Sequence, residues 1–161
     1  MFEVPVLLLV FNRPGTAQQV FDAIKEIKPR QLFVVADGPR PDKPDDVLKC
    51  EATRKIFNGI DWQCELKTLF RDENRGCGRG PAEAITWFFE QIEEGIILED
   101  DCVPDESFFT YCRQLLHKYR DDEGVFMITG TNALKAWRPT RSSYFYSAFE
   151  HSLGWTTWLR T

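Results

Sequence analysis

Pro5-Val6-Leu7-Leu8-Leu9-Val10-Phe11-Asn12-Arg13-Pro14-Gly15 begins as an unbroken apolar run and ends in a polar turn. Val4–Phe11 reads as a strand with apolar residues on both faces, and Asn12-Arg13-Pro14-Gly15 is the cluster that stops it. A strand apolar on both faces needs cover on both sides. The next segment supplies one side: within Thr16–Ile27, Val20, Phe21, Ile24 and Ile27 recur at helical spacing.

The alternation continues down the chain. Gln31–Ala36 reads as a second buried strand closed by Asp37-Gly38-Pro39, then a Pro- and Asp-rich loop from Arg40 to Asp46, then a helix over roughly Val47–Asn58. Cys64–Phe70 reads as a third strand, opening into the glycine-rich loop Arg71 to Gly80. Pro81 suits the first turn of the following helix, which buries Ile85, Phe88, Phe89 and Ile92. Gly95–Leu98 is a fourth strand, and Pro104-Asp105 starts an amphipathic helix carrying Phe108, Phe109, Cys112, Leu115 and Leu116. Val125–Ile128 and Tyr144–Phe149 read as a fifth and a sixth strand. The pattern implies an α/β fold, a three-layer α/β/α sandwich around a mostly parallel central sheet, formed as one domain over residues 1–161.

Composition narrows the function. The net charge of -5, with no basic stretch, gives no nucleic-acid footprint. Five cysteines without a CxxC pair argue against a disulfide framework or a zinc site, and point to free thiols and a cytoplasmic location. The longest apolar run, Val4–Phe11, is too short to span a membrane and lacks the flanks of a signal peptide. No G-x-x-x-x-G-K-[ST] loop, G-x-G-x-x-G fingerprint or G-x-S-x-G elbow is present. His117 and His151 are the only histidines, and Cys77, in a cationic loop, has no base beside it in sequence.

In a parallel sheet, ligands bind beyond the carboxyl ends of the strands, at the topological switch point. The polar residues that interrupt the apolar pattern fall at those ends: Asn12-Arg13, Asp37, Asn74-Arg75 and Glu99-Asp100-Asp101. Three successive carboxylates repel one another and resist desolvation, so a cation is expected beside them, and a divalent metal is the simplest.

In order, Pro5 to Pro14, Asp37-Gly38, Asn74-Arg75-Gly76 and Leu98-Glu99-Asp100-Asp101 followed by Phe108-Phe109-x-Tyr111 make up a sequence that resembles a GT-A-type nucleotide-sugar glycosyltransferase. Within that class it is most similar to the N-acetylglucosaminyltransferase I branch and its bacterial relatives. Ser152-Leu153-Gly154-Trp155 resembles a Gly-Trp motif near the acceptor side of those enzymes. The resemblance implies a GT-A, nucleotide-diphospho-sugar transferase type of fold. It also implies transfer of a sugar from a nucleotide-diphosphate sugar, UDP-sugar favoured, to a glycan or other hydroxyl acceptor, with Mn²⁺ or Mg²⁺. Phe11, Asn12 and Arg13 would border the nucleotide, and Asp37 would meet the uracil edge. Independently of the resemblance, the glycine-rich loop can present backbone N–H groups to phosphate, with Arg75 or Arg79 adding charge. Glu99-Asp100-Asp101 stands in the place of the DxD motif, with Asp101 on the metal and Glu99 and Asp100 on sugar or ribose hydroxyls.

The sequence departs from that pattern in two places. The acidic triplet begins with Glu, and Glu150 is the nearby carboxylate left to deprotonate an acceptor. The aromatic end, Trp155 to Thr161, reads as the start of an element, hence a domain truncated at its C-terminus and a candidate surface for self-association. Two other functions fit the same residues: a non-catalytic nucleotide-sugar-binding module, and a sugar nucleotidyltransferase. The latter wants a Gly-rich basic loop after the first strand, where this chain has Phe11-Asn12-Arg13-Pro14-Gly15-Thr16.

Overall fold

The computed structural model describes residues 1–132 and 142–160. Six strands, β1 (Val6–Val10), β2 (Gln31–Ala36), β3 (Glu65–Phe70), β4 (Glu94–Glu99), β5 (Ile128–Thr129) and β6 (Trp155–Trp158), form one sheet in the order β3-β2-β1-β4-β6-β5. Four helices, α1 (Pro14–Ile27), α2 (Asp45–Lys55), α3 (Gly76–Phe89) and α4 (Glu106–Lys118), connect or flank them. β1 to β4 pair in parallel, while β6 runs antiparallel to both β4 and β5.

Alternate residues of the central strands serve opposite faces, as the strand period requires. Val6, Leu8 and Val10 pack with Val20, Phe21 and Ile24 of α1 and with Phe109, Cys112 and Leu116 of α4. Leu7, Phe33, Val35 and Ile97 pack on the other face with Ala84, Phe88 and Phe89 of α3. The expected mostly parallel sheet between two helical layers is therefore present. Chain order gives it direction: β1, β2 and β3 step outward on one side, and β4 then returns to the other side of β1. The switch point lies between the carboxyl ends of β1 and β4.

Several boundaries differ from the expected ones. α3 starts at Gly76, so the glycine-rich stretch is helix and Pro81 lies inside it, with Ile92 beyond its end. The cause is distant in sequence: Asp37 accepts hydrogen bonds from the backbone N–H groups of Arg75 and Gly76 and so caps the helix early. α2 begins at Asp45 and passes into a 3-10 turn at Ile56–Gly59. β5 shrinks to Ile128–Thr129 because a turn, closed by Val125 N–H on the Asp122 carbonyl, holds the residues before it.

Tyr144–Phe149 is not a strand. Its tyrosines bond through their side chains instead: Tyr144 and Tyr146 hydroxyls meet the Tyr119 hydroxyl, each at 2.7 Å, and Lys118 Nζ donates to Tyr144. The sixth strand is Trp155–Trp158, in register with β4 from Ile97↔Trp155 to Glu94↔Trp158. Thr156 reinforces it by donating its hydroxyl to the Gly95 carbonyl at 2.6 Å. Trp158 is buried and Trp155 half-buried, so the rings expected on a self-association surface are packed into the sheet, and Leu159 is the exposed apolar side chain there. Among the described residues no helix is long and apolar enough to cross a membrane, and the five cysteines are free.

Gly95 of β4 shows how closely α3 approaches the sheet. A Cβ there would fall on the Phe88 ring and lie 3.2 Å from the Pro5 carbonyl oxygen. Phe88 is fully buried, with its ring centroid 4.8 Å from that of Phe33, and has no room to yield. Gly95→Ala is accordingly expected to lower stability by about 1–3 kcal/mol. Gly15→Ala, in open space in the first turn of α1, is expected to be neutral or stabilising by up to about 1 kcal/mol. Urea denaturation of both variants measures the contrast.

Candidate functional site

The β1–β4 register places Leu9 beside Glu99, so the residues just past both strands must meet. They do. The Phe11 N–H donates to Asp100 Oδ2 at 3.1 Å, and Arg13 Nη1 lies 3.4 Å from Asp100 Oδ1 and 2.6 Å from Asp101 Oδ2. Asp100 is 7% exposed, Glu99 is half-buried, and Asp101 reaches solvent. One cation does stand beside the acidic run, the guanidinium of Arg13.

Electrostatics follow this geometry. Burial raises the Asp100 carboxyl above its ordinary range, while the Phe11 N–H and the Arg13 charge pull it back. Burial also raises Glu99, and the charges of Asp101 and Asp100 add to it. The hydrogen bond to Asp101 and the Asp100 charge hold Arg13 firmly protonated. Burial, then the neighbouring Asp101, push the Cys102 thiol up to about 11, which leaves it a poor nucleophile near neutrality.

Asn12 turns the other way. Its Nδ2 donates to Asp46 Oδ1 at 2.7 Å, and Arg40 closes on the same carboxylate through Nε at 2.6 Å and Nη2 at 3.1 Å. The Arg40 guanidinium also sits 5.4 Å from the centroid of the Phe11 ring. Asp46 and Arg40 are not among the residues that the strand-end pattern marks. The available signal was an Asp pair opening a helix, Asp45-Asp46, after a loop bearing an arginine.

Asp37 and Arg75 come together through the backbone. Asp37 Oδ1 accepts from the N–H groups of Gly38 at 3.0 Å and Arg75 at 2.9 Å, and its Oδ2 accepts from Asn74 Nδ2 at 3.0 Å and Gly76 N–H at 3.2 Å. Gly38 is required here, because any Cβ would run into the backbone of Asp72 and Glu73. Arg54 of α2 donates to the carbonyls of Asp37 and Arg71, tying the ends of β2 and β3 together. The Arg75 residue is exposed. Among the described residues Asp37 and Arg75 bond to the Gly38–Gly76 side of the site, away from the acidic end of β4.

Glu150 is exposed and lines, with Asp101, Phe108, Tyr111 and Phe149, a cavity of about 2030 Å³. Among the described residues no three His, Cys, Asp or Glu side chains are grouped so as to hold a metal. The donors therefore fit only an ion that takes one exposed carboxylate, Asp101, and completes its oxygen shell with ligand phosphate and water. Mg²⁺ and Mn²⁺ suit such a site.

No family model and no curated protein matches the chain. Among solved structures, it is similar to 4-diphosphocytidyl-2C-methyl-D-erythritol synthase from Anaerococcus prevotii, at 12% identity and a TM-score of 0.48, over 71% of this chain and 52% of that enzyme. The chain thus spans about half the length of that protein. A likeness this distant gives no support to the N-acetylglucosaminyltransferase I branch in particular.

Asp46 gives the site a defined acid response. The Arg40 side-chain hydrogen bond, helped by Asn12 and opposed by burial, holds its carboxyl well below the ordinary range. In the pH window between the two values the unfolded chain binds the proton and the folded chain does not, so stability falls as pH drops below about 4. Asp46→Asn is expected to be less stable than wild type near neutrality and to show a flatter acid limb. Urea midpoints between about pH 7 and pH 3 measure both effects.

Proposed function

We propose that the crevice between β1 and β4 binds a nucleotide-diphosphate sugar, UDP-sugar favoured, and that the protein is a metal-dependent glycosyltransferase acting on a hydroxyl acceptor. The observation that carries this reading is the pairing of Arg13 with Asp100 and Asp101 at the switch point of a parallel sheet. That crevice offers a cation for phosphate and, in half-buried Glu99 and buried Asp100, carboxylates for hydroxyl groups within one ligand's span.

Phe11 and Asn12 border the nucleotide, with the Phe11 ring held from behind by Arg40. Arg13 neutralises the diphosphate, and exposed Arg75 adds charge from the β3 side. Glu99 and Asp100 accept hydrogen bonds from sugar or ribose hydroxyls. A uracil contact at Asp37 would compete with the backbone N–H groups and Asn74 that its oxygens already serve. Its contribution is to hold the loop before α3. Asp101 would hold Mn²⁺ or Mg²⁺, and a bound ion supplies Lewis-acid neutralisation of the departing phosphate. Glu150, across the shared cavity, accepts the proton of the acceptor hydroxyl.

Calorimetry with a panel of UDP-sugars, with and without Mn²⁺, combined with detection of released sugar, tests the proposal. Metal-dependent binding with turnover supports it; binding without turnover favours the non-catalytic module. No nucleotide binding by folded protein overturns both. Asp101→Ala is expected to fold normally, since that side chain is 48% exposed, and to weaken Mn²⁺-dependent UDP binding about tenfold or more, a loss of about 1.4 kcal/mol. Unchanged Mn²⁺·UDP affinity in that variant would show that the metal does not sit on Asp101.

A further inference from the structure

We infer that Arg13 makes cation binding at Asp101 conditional on a diphosphate. In the free protein its guanidinium covers the carboxylate oxygen that the ion needs, and a diphosphate draws it away. This rests on the metal and nucleotide assignments above.

One nitrogen, Arg13 Nη1, bridges the two carboxylates, 2.6 Å from Asp101 Oδ2 and 3.4 Å from Asp100 Oδ1. A divalent ion bound to an Asp101 oxygen would stand about 2 Å from it, within strong repulsion of a guanidinium on the same group. Arg13 and the ion are therefore competitors for Asp101. The partners differ in freedom. Asp100 is fixed, its side chain 10% exposed and bonded to the Phe11 N–H. The Arg13 side chain is 56% exposed, while its backbone is restrained by Pro14. The guanidinium can leave Asp101 without breaking a strand or helix hydrogen bond, and Asp100 keeps its bond from the Phe11 N–H.

A diphosphate gives it somewhere to go. Guanidinium groups pair bidentately with phosphate, whereas here a single nitrogen serves both carboxylates. Moving Arg13 onto a phosphate leaves Asp101 open and adds phosphate oxygens to the ion's shell. Linkage makes the effect reciprocal: UDP raises the affinity for Mn²⁺ by the factor through which Mn²⁺ raises the affinity for UDP. Arg13 is a positioning residue for the ion, in addition to its contact with phosphate.

The test is Mn²⁺ binding, followed by calorimetry and by the electron paramagnetic resonance of free Mn²⁺, with and without UDP and corrected for Mn²⁺·UDP formed in solution. Wild type is expected to bind Mn²⁺ alone weakly and about tenfold or more tighter with UDP. Arg13→Met is expected to bind Mn²⁺ alone about tenfold tighter than wild type and to lose most of the UDP effect, whereas Arg13→Lys retains part of it. Asp101→Ala should abolish Mn²⁺ binding in either background. Equal Mn²⁺ affinity of wild type and Arg13→Met without UDP would overturn the inference while leaving the metal site intact. Absence of Mn²⁺ binding by both, even with UDP, would overturn the metal assignment itself, and this inference with it.

Discussion

Asp100 places a carboxylate at the carboxyl end of β4 with 7% of its surface exposed, and the crevice is organised around tolerating it. A charge so buried is costly unless it is paired and hydrogen-bonded. Parallel pairing of β1 with β4 brings up the Phe11 N–H, and the turn into α1 brings up Arg13. Neither group would arrive if β1 were shifted by one residue, because every side chain would change face. Fixing the register through two-sided apolar packing therefore also fixes the electrostatics of the crevice.

The loops around it are held in the same manner, by carboxylates more than by apolar contact. Asp46 gathers Asn12 and Arg40, and Asp37 gathers Gly38, Asn74, Arg75 and Gly76. Each joins segments more than 30 residues apart in sequence, as the Asn12–Asp46 and Asp37–Arg75 bonds show. Loops at strand ends carry backbone groups that need partners, and one carboxylate satisfies several N–H donors in little volume.

Local features of the fold were legible in the sequence and long-range ones were not. β2 is legible to the residue at Gln31–Ala36, because a short apolar run between turn residues has few alternatives. α4 was found with its Asp105 start, where the Asp105 side chain accepts from the Ser107 N–H. The early start of α3 was invisible because its cap, Asp37, lies in another segment, and glycines at 76, 78 and 80 read locally as a loop. Tyr144-Phe145-Tyr146 imitates a strand, yet its hydroxyls are satisfied by Tyr119 and Lys118. At the site, Arg13, Asp100 and Asp101 lie at the strand ends that the apolar pattern marks. Their direct contact, and the part played by Asp46, depended on side-chain geometry that spacing does not encode.

β6 is last in sequence yet sits inside the sheet, between β4 and β5. Its pairing with β4 spans some 60 residues, as the Thr156–Gly95 bond shows. During synthesis from the N-terminus, β4 must wait with an open edge until residues 155–158 emerge, while β1, β2 and β3 are already free to pair. Such non-local closure slows folding and leaves an unpaired apolar edge available to other chains. Placing the chain's last strand beside β4 thus leaves the order of synthesis and the order of the sheet opposed, and the open edge of β4 is where they conflict.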